Sequence, residues 1–83
     1  MDKYFVVQIL HIDGQWTNTV HVKDDLDAAL HQKAAFESTY MHGVEYKGNV
    51  ADYSAVYVHA PNGSMVSWLV DDRTPKPEPE PEE

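Results

Sequence analysis

The residues closest to a catalytic arrangement lie in the stretch HIDGQW, where His11 and Asp13 stand two positions apart. On a strand that spacing puts both side chains on one face, the geometry of a histidine oriented by a carboxylate. A nucleophile for such a pair is missing. The chain has no cysteine and no G-x-S-x-G, and Ser38, Ser54, Ser64 and Ser67 stand in no activating context. Asp13-Gly14 is moreover the dipeptide of a tight hairpin turn, which accounts for Asp13 without chemistry. The five histidines, at 11, 21, 31, 42 and 59, include no pair at strand or helix ligand spacing and no HExxH, so no metal site is expected. Four scattered glycines make no phosphate loop, and no cofactor is implied. These residues predict a protein that is not an enzyme.

Charge narrows the partners. The formal charge of −8 argues against direct binding of nucleic acid, which needs clustered lysine and arginine. An acidic protein could instead imitate nucleic acid and occupy a basic host protein, using Asp24, Asp25, Asp27, Asp71 and Asp72. Residues 1–73 hold ten acids and five bases, so the body is only mildly acidic. The ending TPKPEPEPEE alternates proline with charge and is expected to be a disordered, extended tail over residues 74–83.

The elements that must position any site are two hairpins around one helix. YFVVQILHI and WTNTVHV flank Asp13-Gly14. A two-residue turn pairs Ile12 with Gln15 and Val7 with Val20, setting Phe5, Val7 and Ile9 beside Val20 and Val22 on one face. Tyr4, Val6, Leu10 and Ile12 fill the other face, so this first strand is expected to be central and buried on both sides. Between Asp24 and His42 the pattern is helical. Asp24 or Asp25 can cap its start and Gly43 suits the residue past its end. Leu26, Ala29, Leu30, Ala34, Phe36, Tyr40 and Met41 form its packing stripe, with Lys33 and Glu37 paired inside it. After an unassigned linker around EYKGN, ADYSAVYVHA and SMVSWLV flank Asn62-Gly63, another hairpin signal. Counting outward from it pairs Ala60 with Met65, Val58 with Ser67 and Val56 with Leu69 on a core face. His59 with Val66, Tyr57 with Trp68 and Ala55 with Val70 then lie on the reverse.

The fold expected is α+β: ββαββ, a four-stranded antiparallel sheet with one helix on one face, in a single domain over residues 1–73. One helix covers one face. Tyr53, Tyr57, Val66 and Trp68 therefore form the candidate interface, for a second copy or for another protein. The apolar run Tyr4 to Ile12 is too short to span a bilayer and the start lacks a signal-peptide pattern, so a cytoplasmic protein without membrane contact is expected.

KYFVVQILHIDG, DDLDAALHQKAAF and ADYSAVYVHAPNG resemble small, largely uncharacterised proteins encoded by phages and prophages of Gram-positive bacteria, over roughly residues 3 to 70. The resemblance implies a phage-linked accessory or structural role. It brings no catalytic motif.

Overall fold

The computed structural model describes residues 2–73. The expected tail, residues 74–83, lies outside them. Six strands and one helix follow in the order β1 (Tyr4–Ile12), β2 (Gln15–Lys23), α1 (Leu26–Tyr40), β3 (Glu45–Tyr46), β4 (Asn49–Val50), β5 (Tyr53–His59) and β6 (Met65–Asp72). The main sheet runs β2-β1-β5-β6 and is antiparallel throughout. This is the expected ββαββ arrangement with one addition. β3 and β4 form a separate two-stranded ribbon around EYKGN, where the sequence pattern marks no element.

The first hairpin follows its sequence. Asp13 and Gly14 take φ of 54° and 75°, the double left-handed pair of a type I′ turn, and the register runs from Ile12↔Gln15 to Tyr4↔Lys23 without interruption. The second hairpin departs from expectation at its tip. A two-residue Asn-Gly turn needs positive φ at both residues, yet only Gly63 has it, at 91°. Pro61, its φ locked by the ring, and Asn62 instead occupy the centre of a turn closed by Gly63 N–H on the Ala60 carbonyl at 2.8 Å. Asn62 Oδ1 accepts from the Ser64 amide at 3.0 Å. The extra residue is absorbed as a bulge, so His59 pairs with Met65 rather than Val66, and the expected Ala60–Met65 and His59–Val66 pairs do not form. Beyond the bulge, Val58↔Ser67, Tyr57↔Trp68, Val56↔Leu69 and Ala55↔Val70 are as read.

Asp25 caps α1, its carboxylate accepting from the Ala28 amide at 2.8 Å. The helix stops at Tyr40, two residues short of the expected His42, because His42 and Gly43 turn left-handed at φ of 64° and 77°. Asp71 on β6 fixes that exit by accepting from the His42 amide at 2.7 Å and from Arg73 Nε at 3.2 Å. Ser54 Oγ donates to the Tyr40 carbonyl at 3.2 Å, which ties the same end to β5.

The core lies between α1 and one face of β1 and β5. Val6, Ala29, Phe36, Met41, Val56 and Val58 are buried together, with Tyr4, Leu10, Leu26, Tyr40 and Leu69 packed around them. Burying a side chain as large as Phe36 stabilises the fold by about 1.5–3 kcal/mol. The expected helical stripe is too broad. Leu30 and Ala34 are exposed, because α1 lies chiefly across β1 and β5 and its flank overhangs the sheet. Lys33 and Glu37 do pair at 2.5 Å, with side chains only 17% and 23% exposed. β1 is central, but it is covered on one side only, with Phe5 exposed on the other.

Candidate interaction surface

Strand alternation turns Val6, Gln8 and Leu10 toward the helix and sends Phe5, Val7, Ile9 and His11 the other way. The two ladders of β1 line up four rows across that second face. They are Val22–Phe5–His59–Met65, with Val66 in the bulge; Val20–Val7–Tyr57–Trp68; Asn18–Ile9–Ala55–Val70; and Trp16–His11–Tyr53–Asp72. No element covers them among the described residues.

Large apolar side chains are exposed on this face, mostly along its two edge strands. Trp16 is 60% exposed, Trp68 and Val20 58%, and Val22 55%, with Phe5, Val66 and Val70 close to 40%. Four strands about 4.8 Å apart, with β1 and β5 paired over seven positions, make a plane of about 19 by 24 Å, within the range of the largest patches that monomers expose, which are often functional. Asp72 alone among the residues of these rows is an acid, and none is Lys, Arg or Glu. Charge is absent from the interior of the face and enters only at Asp72 on its border, in keeping with the depletion of charged residues at interface cores.

Along the last row the His11 and Trp16 rings lie 4.6 Å apart and those of Trp16 and Tyr53 5.7 Å. Hydrogen bonding to Tyr57, partial burial and the nearby Tyr57 and Asp72 raise the Tyr53 phenol above its ordinary pKa. Across the molecule, burial and the adjacent Tyr46 raise Tyr40 likewise.

Tyr53, Tyr57, Val66 and Trp68 all fall on this open face, on β5 and β6. The other half of the face is not legible in the sequence: Phe5, Val7, Ile9, Val20 and Val22 share one side of the first hairpin, but no local pattern marks which side of the second hairpin they join. Pairing of β1 with β5 supplies that link.

The remaining candidates are dispersed. Asp24, Asp25 and Asp27 stand at the start of α1, while Asp71 meets the chain just beyond its end. Fifteen residues of helix separate the two groups by about 22 Å, so the five carboxylates make no single row. Beside α1, a cleft of about 230 Å³ is lined by Gln8, Leu10, Thr17, Thr19, Phe36 and Tyr40, below the usual volume of a ligand pocket. Among the described residues no helix is long and apolar enough to cross a membrane.

Compared with protein-family models, curated proteins and solved structures, the chain matches none.

Proposed function

We propose that the protein is a non-enzymatic interaction module that uses the open face of its sheet to bind protein, first of all a second copy of itself. The uncharged, contiguous apolar face running from Val22 on β2 to Val70 on β6 carries the reading. Two such faces stacked at about 10 Å would make the interior of a β-sandwich, with α1 of each copy on the outside. An 83-residue chain with a core this small gains from such a partner.

The phage or prophage setting, with bacterial cytoplasm or virion as location, rests on the resemblance of the two hairpins and the helix. A structural or accessory protein that acts by assembly is consistent with it.

Light scattering coupled to size-exclusion chromatography tests the reading on the full chain and on one ending at Arg73. A defined dimer or larger assembly is expected in both. Trp68→Lys should separate stacked faces and so lower the mass of the assembly, while leaving the circular dichroism of the helix intact. Monomers at all concentrations, or an assembly indifferent to Trp68→Lys, would overturn the use of this face.

A further inference from the structure

β2 is the most exposed strand of the sheet. Residues 15–20 and 22 are exposed, α1 lies mainly over β1 and β5, and no strand pairs with the outer edge of β2 among the described residues. Its outer edge is therefore a row of free backbone groups. Which groups they are follows from one hydrogen bond on the far side of β1. The His11 carbonyl accepts from the Asp52 amide at 2.9 Å, so the main chain of the odd-numbered β1 residues faces β5 and that of the even-numbered ones faces β2. The hydrogen-bonded pairs of the first hairpin are then Ile12:Gln15, Leu10:Thr17, Gln8:Thr19 and Val6:His21. The amides and carbonyls of Trp16, Asn18, Val20 and Val22 point outward.

Natural sheets guard such edges with proline, charge, bulges or shortness. β2 has little of this protection: nine residues, no proline or glycine, an uninterrupted register, and a single formal charge, Lys23, at its very end. β6, the opposite edge, ends in Asp71-Asp72 and carries the bulge with β5. The two edges are not equivalent.

We infer that β2 pairs antiparallel with β2 of a second copy about a two-fold axis at Thr19, joining two sheets edge to edge. That centre is the one antiparallel register in which Trp16, Asn18, Val20 and Val22 are all engaged. Trp16 then exchanges hydrogen bonds with Val22 of the second copy, and Asn18 with Val20, so every outward amide meets an outward carbonyl. The side chains agree with the backbone. Trp16 lies against a β-branched valine on the open face, and Thr17 against His21 on the helix side, with nothing of like charge opposed. Thr19 faces Thr19 as a non-hydrogen-bonded pair. This contact uses an edge and leaves the open face free, so it does not depend on the reading above. Combined with face-to-face stacking it would build a closed tetramer or an open array.

Amide hydrogen exchange on the full-length wild-type chain tests the register directly. In a free β2 the amides of Thr17, Thr19 and His21 are protected, while those of Trp16, Asn18, Val20 and Val22 exchange as in an open strand. Edge pairing is expected to erase that alternation at concentrations where scattering shows assembly. A persistent alternation in an assembled sample, or a chain monomeric throughout, overturns the proposal. A second readout uses the absence of native cysteine. Opposed residues in a non-hydrogen-bonded pair have Cα atoms about 4.5 Å apart, within disulfide range. Thr19→Cys should convert most of the chain to a disulfide dimer under mild oxidation, whereas Ser38→Cys, on the exposed side of α1, should remain mainly monomeric on a non-reducing gel. Equal crosslinking of the two would count against the register. Face stacking alone gives neither the uniform β2 protection nor the selective Thr19 crosslink.

Discussion

His11 Nδ1 lies 3.2 Å from Asp52 Oδ2, and the same two residues are joined by the Asp52 amide on the His11 carbonyl. Asp13, the carboxylate two positions along the sequence, is occupied by its turn at left-handed φ. The His-Asp proximity that HIDGQW raises thus exists with a different aspartate, and it forms no relay. The buried Nδ1 makes no hydrogen bond of good geometry, and the ring packs on Trp16. His11→Phe keeps that ring contact and removes an unsatisfied polar atom, so it should be neutral or stabilising, within about 1 kcal/mol. Urea unfolding followed by circular dichroism checks this. A loss above about 2 kcal/mol would mean that Nδ1 has a structural role.

Phe36 and Leu30 separate the packing face of α1 from its overhang. Phe36 is 5% exposed and sits in the core cluster, whereas Leu30 is 37% exposed. Phe36→Ala should cost about 3–5 kcal/mol, which takes most of the stability of a domain this size. Leu30→Ser should fall within about 0.5 kcal/mol. Equal losses at the two positions would place the helix rotated from the orientation described here.

The two acids before α1 also differ. Asp25 accepts from the Ala28 amide, while Asp24 contacts the Lys3 ammonium in full solvent. Hydrogen bonding to Lys3 and its charge hold the Asp24 carboxyl below its usual pKa. An exposed pair of this kind adds little to stability. Asp25→Ala should therefore lower stability by about 1 kcal/mol through the lost cap. Asp24→Ala should leave the unfolding midpoint close to wild type. The reverse order of effects would move the cap by one residue.

Much of this architecture can be read locally. Asp13-Gly14 specifies a turn whose geometry depends on two adjacent residues, and the alternation from Phe5 to Ile9 fixes the register on either side of it. Pro61 defeated the same logic at the second hairpin, since its fixed φ moves the turn one residue back and leaves a bulge at Val58/His59. The β3–β4 ribbon was illegible for a related reason: its turn puts Lys47 at φ of 54°, where sequence patterns lead one to look for asparagine or aspartate. The open face needed more than local rules. Each hairpin shows an apolar reverse side, but only the non-local β1–β5 ladder makes one surface of the two.

Both tryptophans lie on that surface, one at each edge of the sheet, so the intrinsic emission reports its covering. Face-to-face association should give a blue-shifted spectrum at high concentration that moves to the red on dilution, with quenching by iodide rising in parallel. In Trp16→Phe, Trp68 reports alone from the edge opposite β2, and the shift should persist. A spectrum independent of concentration, in a sample that scattering shows to be assembled, would mean that the tryptophans remain wet and that the open face is not the contact.

Tyr53 supplies a pH signature of the same face. Hydrogen bonding to Tyr57, partial burial and the charge of Asp72 favour its neutral phenol, so the folded protein holds that proton more tightly than the unfolded chain does. Below the unfolded tyrosine pKa of about 10, both states are protonated and the contribution to stability is fully present. As pH rises through the higher folded value the contribution is lost. The unfolding midpoint of wild type should therefore fall more steeply above about pH 10 than that of Tyr53→Phe, which has no proton to lose there. Tyr40, raised by burial and by Tyr46, adds a loss of the same sign, so Tyr40→Phe serves as the parallel comparison. Spectrophotometric titration of the phenolate band should show Tyr53 ionising after the ordinary tyrosines. If Tyr53→Phe follows the wild-type pH profile without divergence, the phenol is solvated like any surface tyrosine and the Trp16–His11–Tyr53–Asp72 row is looser than its ring distances imply.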